Sequence, residues 1–152
     1  MLKTTGINIR NAVEEDLLDC LMLFKQFHKE SKIPHTWSGS KAEQVFKASL
    51  ESDTFNVIVA TLDKEIIGFI VCLVYELPFA VERIATDVAW FVHKDYRNTS
   101  AAFRLLSEYE KWAKEKGAKY INLAYLENVS DLSRVYTKRG YKKAETHYTK
   151  EI

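Results

Sequence analysis

The stretch that decides the fold reads Trp90-Phe91-Val92-His93-Lys94-Asp95-Tyr96-Arg97-Asn98-Thr99-Ser100-Ala101-Ala102. It begins as the end of a strand, passes through a short loop and enters a helix that the apolar periodicity extends over residues 99–117. The helix has no acidic residue before Glu108, although its dipole would favour one there. Free backbone N–H groups at a helix start bind anions, so the pattern indicates an anion site. The alternative is an ordinary helix capped by Thr99 or Ser100.

The segments on either side of this stretch predict a mixed α/β (α+β) fold. Strands alternate with helices in the order βαα, βββ, αβαβ, and the strand–helix–strand unit around the stretch should be a right-handed parallel crossover. We therefore expect a mostly antiparallel central sheet of about six to seven strands, flanked by about four helices. The predicted strands are 7–10, 56–62, 65–75, 84–93, 119–126 and 141–151, and the predicted helices are 11–28, 41–50, 99–117 and 129–139.

Length and composition favour one soluble domain over residues 1–152. The chain has 152 residues and a formal net charge of +1, with charges interspersed, which argues against a nucleic-acid partner. Cys20 and Cys72 lie in apolar runs, as buried reduced thiols do, and the four histidines lack metal-ligand spacing, so we expect no metal. No run is long enough to span a membrane and no signal peptide is evident, so we expect a cytoplasmic protein.

The deciding stretch resembles the CoA-binding motif of the GNAT superfamily of N-acetyltransferases. That motif reads [R/Q]-x-x-G-x-[G/A] after a strand ending in Val-His-Pro-x-[Y/F]. Arg97 and Ala102 match it, whereas Ser100 stands where glycine is usual and Lys94 replaces the proline. Serine is small and adds a hydroxyl donor, so the substitution is compatible with pyrophosphate binding.

Three further segments resemble the same superfamily, in the same order, over nearly the whole chain. Residues 8–16 are similar to its opening Ile-Arg-x-Ala-x-x-x-Asp, residues 65–69 to its hairpin strand Gly-x-x-x-Gly-Phe without the first glycine, and residues 136–141 to its closing Tyr-x-x-x-Gly-Phe. The degenerate motif is also similar to small phage-encoded members. The resemblance implies a GNAT-like sheet that is splayed in the middle, between residues 88–92 and 121–123, through a bulge.

By this resemblance the cosubstrate is acetyl-CoA, and its acetyl group passes directly to an amine-bearing small molecule or protein. The pantetheine arm would pair with the backbone of Trp90, Phe91 and Val92, and Asn128 could bind its amides. Such domains often dimerise, so a homodimer is compatible with this interpretation. The pyrophosphate would meet Arg97, Asn98, Thr99, Ser100, Ala101 and Ala102.

Two residues are candidates for catalysis. The resemblance places Tyr136 near the thiol of CoA, where its phenol could protonate the leaving thiolate; the alternative is a packing tyrosine. Asp87 is the candidate general base because a carboxylate inside an apolar strand is costly unless used or paired. We place it on the face opposite Trp90 and Val92, and pairing across the sheet remains its alternative.

A second class of function stays open at this point. The chain could be a non-catalytic acyl-CoA-binding or protein-interaction module on the same fold, because fold does not fix activity. The serine at position 100 and the unsettled base favour that alternative, and Tyr136 argues against it.

Overall fold

The computed structural model describes residues 6–126 and 129–152, in which the chain forms five strands and four α-helices. Two 3₁₀ turns, Glu14–Asp16 and Lys94–Tyr96, precede the first and third helices. The elements, in chain order, are β1 (Ile7–Asn11), α1 (Leu17–Glu30), α2 (Gly39–Glu51), β2 (Phe55–Leu62), β3 (Glu65–Glu76), β4 (Arg83–Val92), α3 (Ala101–Glu115), β5 (Ala118–Asn122) and α4 (Ser133–Lys138).

The strands form a single sheet in the order β1-β2-β3-β4-β5. β1 to β4 are antiparallel neighbours, and β5 joins β4 in parallel after the crossover through α3. The predicted mixed, mostly antiparallel sheet and its parallel unit are thereby confirmed.

The prediction of a strand at 141–151 is wrong, so the described sheet has five strands rather than six or seven. Residues 141–152 carry no regular secondary structure, and all of them beyond Tyr141 are exposed. This segment is dominated by charged and polar side chains, so laying it along the sheet of the same chain would bury little apolar surface. α4 is also shorter than the helix predicted over 129–139.

Apolar side chains cover both faces of the sheet. One face packs against α3 through Leu105, Leu106 and Tyr109, all fully buried. The other packs against α1 and α2 around Phe46 and Phe69. Cys20 and Cys72 are both free and buried, as predicted, and burial raises the pKa of each thiol.

A glycine in β3 permits α3 to approach the sheet closely. A Cβ on Gly68 would lie 2.9 Å from the carbonyl oxygen of Phe91 and 3.3 Å from the Leu105 side chain. This glycine is the one that fits the hairpin-strand motif, and its role is to let β4 and α3 meet at the start of that helix. None of the helices in residues 6–126 and 129–152 is long and apolar enough to cross a membrane.

Candidate active site

The sheet opens between β4 and β5. The last residue pair joining them is Thr86 with Asn122, whereas β4 continues to Val92. Beyond that pair, residues 87–92 have no strand partner on this side in the described part of the chain. The opening, which we call the gap, lies where the sequence predicted the sheet to splay.

A bulge at Val88 sets which side chains face α3. Asp87 pairs with Cys72 and Ala89 with Val71, so Val88 is an extra residue in β4. Since Trp90 pairs with Ile70, which lies on the same side of β3 as Cys72, Asp87 and Trp90 share the α3 face. The prediction that they face opposite ways is wrong, because simple alternation does not hold across a bulge.

The backbone of β4 presents free groups to the gap. The N–H of His93 donates to the carbonyl of Ile67 at 2.8 Å, so residue 93 bonds towards β3. Backbone direction alternates along a strand, so Trp90 and Val92 direct their N–H and C=O groups into the gap. The carbonyl of Val92 accepts a hydrogen bond from Arg97 Nε at 2.9 Å. The backbone N–H of Val92 remains available to polarise the carbonyl group of a ligand.

Asp87 reaches across the gap. Its Oδ1 accepts a hydrogen bond from the backbone N–H of Ala124 at 3.2 Å. Burial raises the pKa of the Asp87 carboxyl to about 6, against the opposing effect of the hydrogen bond from Ala124. A carboxylate with this pKa is mostly ionised at neutral pH and can still take up a proton, as a general base must.

Tyr136 closes the same part of the gap from α4. It is buried, its hydroxyl donates to the carbonyl of Ala124 at 2.7 Å, and its ring stacks on Trp90 with centroids 6.3 Å apart. Burial, and then the charge of Asp87, raise the pKa of this phenol, so it holds its proton at neutral pH. To protonate a thiolate, the phenol must exchange its bond to Ala124 for one to the leaving group.

The start of α3 has the properties of an anion site. Ser100 is the N-cap residue, yet its hydroxyl makes no capping bond, and its Oγ is buried without a partner in the described part of the chain. Thr99 Oγ1 accepts instead from Ala101 N at 3.2 Å. The N–H groups of Ala102 and Phe103 have no acceptor within the helix, and the first turn contains no acid. These donors fit a diphosphate.

Arg97 faces a different neighbour from the one that the resemblance implies. Its Nη2 lies 2.5 Å from Glu30 Oε2 at the end of α1, and its guanidinium covers the Phe91 ring at 5.2 Å. Asn98 is exposed, and Asn128 lies outside the described residues. Sequence reasoning missed Glu30 because it lies 67 positions from its partner and no local pattern links the two.

Three hydrogen bonds beside the gap, one at the end of β5 and two at Ala124, were also missed. Tyr109 of α3 donates its hydroxyl proton to the carbonyl of Asn122 at 2.8 Å, at the last paired position of β5. Ala124, which has no distinguishing side chain, supplies the backbone groups that bind both candidate catalytic residues.

Among residues 6–126 and 129–152, no three His, Cys, Asp or Glu side chains are grouped so as to hold a metal ion.

Comparison with solved structures shows the same fold. A putative acetyl transferase from Pyrococcus furiosus is 25% identical, with 96% of this chain and 99% of that one covered and a TM-score of 0.76. Ribosomal-protein-alanine N-acetyltransferase from Brucella melitensis is 17% identical over 97% and 99%, with a TM-score of 0.79. Aminoglycoside N-acetyltransferase AAC(6')-Iy, in complex with CoA, is 17% identical over 99% and 97%, with a TM-score of 0.80.

Two sequence comparisons gave different results. No curated protein matches the chain. The model of the acetyltransferase (GNAT) family matches residues 14–141, which include every described element from α1 to α4. The similarity to phage-encoded members stays a prediction. The chain therefore belongs to the acetyltransferase (GNAT) family and is a GNAT-type, acetyl-CoA-dependent acyltransferase.

Proposed function

We propose that this protein transfers the acetyl group of acetyl-CoA directly to a primary amine of a small molecule or peptide. The observation that carries the proposal is the meeting of Asp87 and Tyr136 at the two backbone groups of Ala124. One is a carboxylate with a raised pKa and the other a protonated phenol, so a base and an acid face one gap. CoA is bound by a solved relative of the same fold, AAC(6')-Iy.

Binding uses the two free backbone regions. The first turn of α3, with the Ser100 hydroxyl, holds the phosphates, and the exposed groups of Trp90 and Val92 hold the arm of the cosubstrate. When bound, acetyl-CoA supplies an acetyl group activated as a thioester. The chain's own contribution is to fix that group beside Asp87 and Tyr136 and to offer the N–H of Val92 to its oxygen.

The transfer requires two proton movements. The acceptor enters as a neutral amine, with its ammonium proton already left in solvent, and Asp87 takes one proton from its nitrogen as that nitrogen attacks, directly or through one water. A C–N bond forms and the C–S bond breaks, leaving an amide and a thiolate. Tyr136 donates its phenolic proton to that sulfur, and the proton held by Asp87 then passes through solvent to the Tyr136 phenolate, which restores both residues. No covalent enzyme intermediate is needed, and the two thiols, Cys20 and Cys72, are both buried.

The first experiment tests binding by thermal unfolding with and without acetyl-CoA. A ligand that binds only the folded state stabilises it by about 2.7 kcal/mol at a hundredfold excess over its dissociation constant. Ser100→Glu should abolish the rise in melting temperature, since it sets a negative charge against the phosphates. Ser107→Glu, the same change on an exposed position of α3, should retain it. Absence of any shift for the unaltered protein at millimolar acetyl-CoA would contradict the proposal.

A binding module without catalysis is the second candidate, and one observation favours it. The Tyr136 proton is already donated to Ala124, as a purely structural hydroxyl would be. Thiol release from acetyl-CoA, measured over a panel of amines and peptides, separates the two functions. Turnover of any amine establishes transfer, whereas clear binding with no turnover across the panel favours the module.

A further inference from the structure

Acetyl-CoA, bound as proposed above, fills one side of the gap. The start of α3 lies on the α3 face of the sheet, and so does the Trp90 ring that stacks on Tyr136. On this side α4 is joined to α3 by the ion pair of Arg139 with Glu110, at 2.7 Å. An acceptor amine must therefore approach Asp87 from the opposite face of the sheet.

The helices α1 and α2 cover only part of that opposite face. They pack on β2 and on the middle of β3, where Val71 is buried. Side chains alternate along a strand, so Leu73 and Tyr75 face the same side as Val71. The exposed fraction rises from 3% at Val71 to 39% at Tyr75, so the cover provided by the helices ends before β3 does.

Two tyrosines stand on the uncovered part of this face, one on each side of Ile84. Tyr75 of β3 pairs with Ile84 of β4, which in turn pairs with Tyr120 of β5. Ile121 and Leu123 pack on the α3 face, so Tyr120 faces the other side. Neighbouring strands are about 4.8 Å apart, so the two tyrosines are about 10 Å apart across the sheet.

These three residues form a trough with an aliphatic floor and aromatic walls, which we call the tyrosine trough. Tyr120 is 52% exposed, whereas Ile84, on the floor, is buried. Aromatic rings favour offset-stacked or edge-to-face contact with other rings. The tyrosine trough therefore suits a flat aromatic group laid over Ile84.

The tyrosine trough leads along β4 to the gap. The next row of the sheet, Thr86 with Asn122, is polar and uncharged and is the last pair before the strands part. Ile84 and Asp87 are three residues apart, which is about 10 Å along the strand. An extended chain advances about 1.2 Å per bond, and the contact of an amine with the carboxyl takes about 3 Å. About five bonds therefore separate an amine at Asp87 from a ring over Ile84.

The charges around the tyrosine trough disfavour an acceptor with several ammonium groups. Lys119 Nζ lies 6.0 Å from the centre of the Tyr120 ring and 3.9 Å from Glu82 Oε1. The trough and the row of Thr86 and Asn122 contain no charged side chain. One amine is matched by Asp87, whereas further ammonium groups would meet the charge of Lys119.

On the basis of the proposed function, we propose that the acceptor is an arylalkylamine, with its primary amine at Asp87 and its aromatic ring in the tyrosine trough. The ring contacts Tyr75 and Tyr120 and covers Ile84, and the alkyl chain passes over Thr86 to the gap. Tyr75 and Tyr120 are then specificity-determining residues, which contact the substrate and take no part in the proton transfers.

A series of phenylalkylamines measures the distance from amine to ring directly. Thiol release from acetyl-CoA is followed with benzylamine, 2-phenylethylamine and 4-phenylbutylamine, and each rate is expressed per concentration of neutral amine. The value of kcat/KM should rise along the series. It should be at least about tenfold higher for 4-phenylbutylamine than for butylamine, which lacks the ring, or for spermidine, which is polycationic. An equal kcat/KM for butylamine or spermidine would overturn the proposal.

Substitution of one wall tests the tyrosine trough itself. Tyr120→Ala should raise the KM for 4-phenylbutylamine about three- to tenfold and leave kcat and the KM for butylamine unchanged. Tyr120→Phe should retain the low KM, since stacking needs the ring and not the hydroxyl. Tyr148→Ala, at an exposed tyrosine outside the trough, is the matched control. A KM that Tyr120→Ala leaves unchanged, or raises equally for both amines, would contradict the proposal.

A binding measurement separates failure of this proposal from failure of the proposed function. Calorimetry compares 4-phenylbutylamine with spermidine, each titrated into the protein in the presence of CoA. Preferential binding of 4-phenylbutylamine that Tyr120→Ala weakens, without acetyl transfer, would support the tyrosine trough and refute the transferase. Transfer to other amines with no preference for a ring would support the transferase and refute the trough. If 4-phenylbutylamine neither binds nor is acetylated, the substrate class is wrong.

Discussion

Replacing Asp87 by Asn tests the environment on which the candidate base depends. The carboxyl is partly buried on the α3 face, and its pKa is raised from 3.8 to about 6, mainly by burial. Asparagine is neutral at every pH, and its amide oxygen can still accept from the N–H of Ala124. The variant therefore removes the charge and keeps the shape and the hydrogen bond.

The size and sign of the effect follow from linkage between protonation and folding. The pKa of Asp87 is about 6 in the folded protein and 3.8 when unperturbed, and each pKa unit corresponds to about 1.36 kcal/mol. The ionised carboxylate therefore lowers the free energy of unfolding by about 3 kcal/mol relative to a neutral side chain. Because the pKa is higher in the folded state, the folded protein binds more protons between these two values. The contribution of the group to stability is complete below pH 3.8 and is lost as the pH rises to about 6.

The measurement is urea unfolding at two pH values. The free energy of unfolding of the Asp87→Asn variant should be higher than that of the unaltered protein by about 3 kcal/mol at pH 8 but by only about 1 kcal/mol at pH 4.5. Asp53→Asn, at an exposed position, controls for the loss of a negative charge. An Asp87 variant that is less stable at pH 8, or equally stabilised at both pH values, would refute the reasoning.

The same variant should lose activity. General base catalysis is worth about 10²- to 10⁴-fold, so acetyl transfer at pH 8 should fall by that factor. Below pH 6 the unaltered enzyme also loses its base, and the ratio of the two rates should narrow there. A variant that is more stable and less active would show that the buried charge is retained for catalysis at a cost in stability.

Three further predictions concern neighbouring residues. Tyr136→Phe should keep the affinity for acetyl-CoA and lower the transfer rate at saturating acetyl-CoA by about 10²- to 10⁴-fold. The free energy of unfolding should fall by about 1 kcal/mol, because the hydrogen bond to Ala124 is lost. Full turnover by this variant would mean that the tyrosine is structural. Gly68→Ala should cost about 1–3 kcal/mol in urea unfolding, because its Cβ would meet a backbone oxygen at 2.9 Å, whereas Gly39→Ala, with its nearest atom at 3.8 Å, should be tolerated. Glu30→Gln should change the free energy of unfolding by less than about 1 kcal/mol, since the ion pair with Arg97 is half exposed. It should also tighten acetyl-CoA binding, measured by calorimetry at low salt, because it frees the Arg97 guanidinium. Weaker binding would mean that Glu30 positions this guanidinium for the ligand.

The sequence was most informative where one local pattern suffices. The hairpin of β2 and β3, the long helix α3 and the parallel strand after it are each specified by apolar periodicity and a turn or cap. The gap was expected from the resemblance to the GNAT superfamily, and it lies between the segments for which the splay was expected. The anion site at Ser100, indicated by the start of α3, and the acid role of Tyr136, indicated by its spacing from Gly140, stay predictions.

What the sequence could not specify depends on contacts between distant segments. The bulge at Val88 has no marker such as glycine, so the face of Asp87 was predicted wrongly. The pairing of Arg97 with Glu30 and the role of the Ala124 backbone depend on how separate elements meet. The prediction of a final strand was wrong because alternation alone does not form a strand: residues 142–152 are mostly charged or polar and would bury little apolar surface.

The bulge also bears on how such a site is gained or lost. Asp87 and Trp90 are three positions apart, and they share a face only because the bulge takes up Val88. Deleting Val88 would remove the bulge and leave the two residues in regular alternation, still facing α3, whereas straightening the strand with Val88 in place would turn Asp87 away from Tyr136. One residue of register against β3 therefore separates a carboxylate that faces the gap from one that faces the opposite side of the sheet.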